Sequence, residues 1–136
     1  MIEFDRVRKV YDPDVVAVDE VTATIEDGEW VSVLGPSGCG KSTLLFMAGG
    51  FLERTEGSIT VNGHPVEEPS PERGMVFQDS VLFPWMTIED NIKWGMEVVG
   101  IDEETREQRA VEYIEMIGLE GFEDAYPSSL SGGMKQ

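Results

Sequence analysis

Nine consecutive residues constrain this chain more than any others. Gly35-Pro36-Ser37-Gly38-Cys39-Gly40-Lys41-Ser42-Thr43 fits G-x-x-x-x-G-K-[ST] without a mismatch. In that pattern the glycines let the backbone curl closely around phosphate groups and aim several N–H groups inward. Lys41 supplies a mobile positive charge for β- and γ-phosphates, and the Ser42 hydroxyl is a candidate Mg²⁺ ligand. The flanks agree with the loop. Trp30-Val31-Ser32-Val33-Leu34 is a short β-rich run entered through the turn Glu26-Asp27-Gly28-Glu29, and Thr43-Leu44-Leu45-Phe46-Met47-Ala48 is helix-prone up to Gly49-Gly50. The pattern therefore predicts strand, loop and helix in that order, with the positive end of the helix dipole facing the phosphates of a nucleoside triphosphate.

Charge limits the other partners. Of 136 residues, 27 are Asp or Glu and ten are Lys or Arg, giving a formal charge of −17 and a pI near 4.2. Such a balance excludes nucleic acid as a partner and excludes a polybasic attachment to anionic lipid. It also opposes a polyanionic nucleotide, so the site has to act at short range through Lys41, Mg²⁺ and aimed amides. At about 1 M ionic strength the screening length falls to roughly 3 Å, which predicts a protein suited to a saline interior. No run approaches a membrane span, and Met1-Ile2-Glu3-Phe4-Asp5 lacks a signal peptide's basic and apolar regions, so the chain is expected in the cytoplasm. The single cysteine, Cys39, has no partner for an internal disulfide and occupies a variable position of the loop.

At this length the chain is expected to form one domain, with a change of character near residue 86: a nucleotide-binding core and β subdomain over 1–85, and a helical subdomain over 86–136. Val21, Ala23 and Ile25 alternate with Thr22 and Thr24, as in a half-buried strand. The runs 57–61 and 64–66 flank Asn62-Gly63, a hairpin signal that includes the only histidine, His64. Gly74-Met75-Val76-Phe77 reads as a further strand ending at Gln78. Thr87 with Asp90 predicts a capped helix bearing Ile88, Ile92, Met96 and Val99 on one face. Asp102 predicts the cap of a second helix, with Ala110, Tyr113, Ile114 and Ile117 as its stripe and Gly118 as its stop.

Three features beyond the phosphate loop carry a resemblance. They are Tyr11, in Lys9-Val10-Tyr11; Gln78, set between Met75-Val76-Phe77 and Leu82-Phe83-Pro84-Trp85; and the terminal Leu130-Ser131-Gly132-Gly133-Met134-Lys135-Gln136. Together they resemble the ATP-binding subunit of an ABC transporter over the whole chain. The resemblance implies an α/β fold: a P-loop NTPase core with an antiparallel β subdomain and a helical subdomain, the C-terminal part of the core missing. It implies ATP and Mg²⁺ as cofactors. Position by position it implies that Tyr11 stacks on adenine and that Gln78 reaches the metal and the attacking water. Ser131, Gly132 and Gly133 become a signature loop directed at the γ-phosphate held by a second, head-to-tail subunit, with Ser131 capping a helix that begins there. The implied partners are that second ATP-binding subunit, integral membrane permease subunits and, indirectly, a solute-binding protein, with the chain peripheral at the cytoplasmic face of the membrane.

Arg73-Gly74-Met75-Val76-Phe77-Gln78 with Leu82-Phe83-Pro84-Trp85 is similar to importers of the nitrate, sulfonate and taurine group. Past the signature the family carries a strand ending in Asp and a catalytic Glu, and later a His at the γ-phosphate, none of which is matched here. The sequence therefore predicts ATP binding with weak hydrolysis by this chain alone, and apolar strand faces left bare as in a fragment. Two rival classes are a nonhydrolytic nucleotide-binding or interaction module, and a small-molecule kinase. The kinase reading explains neither residues 130–136 nor Gln78.

Overall fold

A long, irregular hairpin carries the first half of the molecule. In the computed structural model, which describes residues 1–11 and 14–135, β1 (Ile2–Tyr11) pairs antiparallel with β2 (Val15–Ile25) and, on its other edge, with β3 (Glu56–Val61). A two-residue strand β4 (His64–Pro65) completes the sheet in the order β2-β1-β3-β4. The predicted turn joins β3 to β4: Asn62 and Gly63 take φ of 50° and 77°, the paired positive values of a tight hairpin turn. His64 lies in that hairpin and is exposed, as expected. Register shifts interrupt the β1–β2 ladder around Val7 and Lys9, and Arg6 and Glu20 adopt φ of 46° and 48° beside them, as residues do at β-bulges.

One helix, α1 (Lys41–Gly49), packs on this sheet. Its apolar side chains Leu44, Met47 and Ala48 meet Phe4, Val7, Val18, Ile59 and Val66, a cluster in which Val7, Met47 and Ile59 are almost wholly enclosed. The helix stops where Gly49-Gly50 predicts. Gly50, at φ 82°, donates to the Met47 carbonyl, and Phe51 N–H reaches back to Phe46 O, so two carbonyls that the helix leaves open are satisfied.

The chain divides into two units, Met1–Met75 and Val76–Gln136, and the change of character read near residue 86 falls inside the second. That unit is a helix pair. Helix α2 (Ile88–Val98) begins at Thr87, whose Oγ1 accepts from Asp90 N–H at 3.1 Å. Helix α3 (Glu103–Ile117) begins at Asp102, whose carboxylate accepts from the Thr105 N–H at 3.0 Å and the Thr105 hydroxyl at 2.8 Å. Gly118 ends it at φ 68°. Both predicted caps and the predicted stop are present. The core here is Ile88, Ile114, Leu119 and Leu130, with Leu82, Ile92, Ala125 and Met134 packed against it.

Four expectations are corrected. Trp30–Leu34 and Gly74–Phe77 have strand-like sequences but form no ladder among the described residues; Trp30, Leu34 and Val76 are about nine-tenths exposed. A strand exists only through ladder hydrogen bonds to a neighbour, and a parallel one needs that neighbour brought in by a crossover. Third, the α3 stripe is narrower than predicted: Ala110 and Ile114 are buried, whereas Tyr113 and Ile117 are exposed. On α2, Val99 is likewise exposed, as the residue that closes the helix rather than a member of its apolar face.

Candidate functional site

The phosphate-loop residues run into the N-terminus of α1, so the first N–H groups of that helix point back along the loop without intrahelical acceptors. Gly40 forms the junction at φ 92°, a conformation that costs a residue with a Cβ dearly. Space forbids a side chain as well: a Cβ at Gly40 would lie 2.1 Å from the Ala17 carbonyl oxygen of β2. The loop is thus seated on the sheet at its last glycine. Leu44 N–H donates to Gly40 O at 2.9 Å, starting the helix immediately beyond. No acidic residue stands in the first turn, so no carboxylate of the helix occupies its dipole end.

Lys41 folds over the loop. Its ammonium donates to the carbonyls of Gly35 at 2.9 Å and Pro36 at 2.6 Å and lies 3.7 Å from Cys39 Sγ. Cys39 N–H in turn reaches Pro36 O at 3.4 Å, closing the bend through Ser37 and Gly38. The Cys39 sulfur covers the Cα of Gly35, where an added Cβ would come within 2.6 Å of it. Ser42 is exposed on the first turn and Thr43 is half-buried.

A hollow of ≈ 290 Å³ opens beside this loop, bounded by Gly38, Gly40, Lys41, Ser42 and Thr43 on one side and by Tyr11, Val15, Val16 and Ala17 on the other. Two of the separately predicted groups, the aromatic Tyr11 and the loop, therefore share one site. Among the described residues its lining has one cation, Lys41, and no carboxylate, within a chain of charge −17. A second hollow of the same unit, ≈ 730 Å³, sets the carboxylates of Glu53, Glu56, Glu67 and Glu68 against the guanidinium of Arg54, a net acidic lining poorly suited to a polyanion. The β2 wall, Val15 to Ala17, was not singled out from sequence. The signal is the apolar run Val15-Val16-Ala17 a few residues after Tyr11, which gives an apolar surface for a flat ring to rest on.

Gln78 and Ser131–Gly133 belong to the second unit. Gln78 lies exposed in an irregular segment. The signature residues are held at both ends by the core, through buried Leu130 and packed Met134. A 3₁₀ turn, Pro127–Ser129, leads into them, and Lys135 N–H donates to Ser131 O at 3.2 Å to close one helical turn. Around Gly132 and Gly133 there is open space on the side where a Cβ would stand. Gln136, the last residue of that motif, lies outside the described residues. Among the described residues there is no His, Cys, Asp and Glu cluster able to hold a metal by itself, and no helix is long and apolar enough to cross a membrane.

Comparison with known proteins gives the family and the fold. A family model described as ABC transporter matches residues 18–136. The taurine import ATP-binding protein TauB of Rhizobium johnstonii is 44% identical over 126 residues, covering 93% of this chain and 48% of that protein. The nitrate import ATP-binding protein NrtD of Synechocystis sp. is 46% identical over 122 residues, covering 90% of this chain and 46% of that protein. The chain thus spans just under half the length of these relatives. Among solved structures, the dimeric post-hydrolysis state of the ATP-binding cassette MJ0796, bound to ADP and Pi, superposes with a TM-score of 0.86 at 30% identity. That match covers 99% of this chain and 65% of the other. The fold is that of ABC ATPase cassettes, and the chain belongs to the ABC transporter family.

Proposed function

We propose that this chain is the ATP-binding portion of a subunit that energises an ABC importer for a small solute of the nitrate, sulfonate or taurine kind. The observation that carries the reading is the hollow beside residues 35–43, which joins Tyr11 to the loop and, among the described residues, has Lys41 as its lining charge. The relatives, a taurine import and a nitrate import ATP-binding protein, support import and the solute class. The subunit sits at the cytoplasmic face of the membrane through permease subunits, which receive solute from a binding protein.

In this reading Lys41 exchanges the Gly35 and Pro36 carbonyls for β- and γ-phosphate oxygens, and the first amides of α1 hold the same oxygens. Tyr11 stacks on the purine. The Ser42 hydroxyl, exposed on the first helical turn, is an oxygen donor of the kind Mg²⁺ takes alongside phosphate oxygens and water. When bound, the metal would supply charge neutralisation for the phosphates. Gln78 is the second residue we propose as a donor to the metal, and its amide oxygen would orient the attacking water. Ser131, Gly132 and Gly133 present open amides to the γ-phosphate of a second subunit, an arrangement supported by the dimeric state in the related solved cassette.

None of the 136 residues matches the family's catalytic Glu or its γ-phosphate His, so we propose that this chain alone binds Mg-ATP but turns it over slowly. Calorimetric titration of Mg-ATP into the unsubstituted chain and Lys41→Ala tests the reading. Removing the ammonium from charged phosphate oxygens should weaken binding at least about tenfold. Equal affinity in the two proteins would contradict the assigned loop.

A further inference from the structure

The aromatic wall of the hollow is supported from behind. Lys9 Nζ stands over the Tyr11 ring, 5.2 Å from its centroid, within the range in which an ammonium is attracted to a ring face. The same ammonium donates a 2.7 Å hydrogen bond to the Glu53 carbonyl, in the segment that follows α1. That segment is tied to β1 at two further points: Thr55 N–H donates to Arg8 O at 2.8 Å, and Val10 N–H donates to Thr55 Oγ1 at 3.0 Å. Lys9 is therefore held by fixed backbone rather than left to swing in solvent.

A planar ring has two faces, and this cation occupies one. Tyr11 is 41% exposed, and it lines the hollow with Gly38 and Lys41. We propose that Lys9 is a positioning residue for Tyr11: anchored on Glu53, it fixes the ring from one side so that the remaining face receives the purine of the bound nucleotide. The inference rests on the nucleotide reading given above. It adds a requirement that reading does not contain, namely that Lys9, acting through the Tyr11 ring rather than on the nucleotide itself, governs affinity for the base.

Lys9→Met keeps the aliphatic stem and removes the charge, and Lys9→Arg restores a charge that can lie over the ring. Titrations of the full chain with Mg-ATP and with magnesium tripolyphosphate, which has no base, separate base from phosphate. A cation over an exposed ring should give Lys9→Met an affinity for Mg-ATP about two- to fivefold weaker, with tripolyphosphate affinity unchanged and Lys9→Arg restored. In a Tyr11→Ala background the Lys9→Met substitution should have no effect on Mg-ATP, because the ring it positions is gone. Unchanged tripolyphosphate affinity also reports that the phosphate loop is folded in the variant. Equal weakening toward both ligands, no weakening at all, or a loss that persists in the Tyr11→Ala background would overturn the role of Lys9 alone. Absence of Mg-ATP binding by the unsubstituted chain would instead overturn the nucleotide reading, and this inference with it.

Discussion

Gly40 and Gly38 are both glycines of the phosphate loop with positive φ, yet they respond to different demands. At Gly38, φ is 78° and a Cβ would meet nothing within 4 Å, so Gly38→Ala should carry mainly the backbone penalty of the left-handed region, about 1–2 kcal/mol. At Gly40 the same penalty is joined by a collision with the Ala17 carbonyl. Gly40→Ala should therefore destabilise the first unit by at least about 3 kcal/mol. Denaturant unfolding of the two variants checks this, and equal losses would show that seating on β2 is unimportant. The glycine pattern was legible in the sequence because it encodes local backbone shape. The contact with Ala17 was not, because β2 and the loop meet only through the fold.

Helix ends were the most readable elements. Thr87, Asp102, Gly50 and Gly118 all act where they were expected, since capping is decided by a few adjacent residues. The Asp102 carboxyl is held below its usual range, first by the Thr105 backbone N–H and then by the Thr105 hydroxyl. A depressed folded-state pKa contributes stability above the ordinary carboxylate range, and that stability is lost as pH falls through the folded value. Asp102→Asn keeps a capping oxygen without the charge. The stability difference between the original protein and Asp102→Asn should therefore be greatest near neutral pH and shrink toward about pH 3. Thermal unfolding across that range checks it, and a constant difference would contradict the cap's electrostatic part. Strands were less legible. Trp30–Leu34 and Val76 have the composition of buried β structure, but composition cannot supply the neighbour whose hydrogen bonds make a strand. The stripe of α3 was over-read for a related reason: periodicity marks Tyr113 and Ile117 as apolar, while only packing decides that Ala110 and Ile114 are the pair enclosed.

Across the whole molecule, charge and chemistry pull apart. Six ion pairs are present among the described residues, too few to balance 27 acidic groups against ten basic ones. Screening of the excess repulsion should outweigh weakening of those mostly exposed pairs. The melting temperature should accordingly rise between about 0.1 M and 1 M KCl, at roughly 4 °C per kcal/mol gained; a melting temperature that falls or stays level would contradict a protein suited to salt. Against that acidic background the hollow at residues 35–43 presents Lys41 and backbone amides, and the role we propose for it is to grip the β- and γ-phosphates. Amide hydrogen exchange, followed in molar KCl with saturating Mg-ATP and then with AMP, tests that role most directly. Strong protection of Gly38 through Thr43 with Mg-ATP, and little with AMP, is the predicted result; equal protection by AMP, or a bound Mg-ATP that leaves these amides exchanging freely, would contradict it.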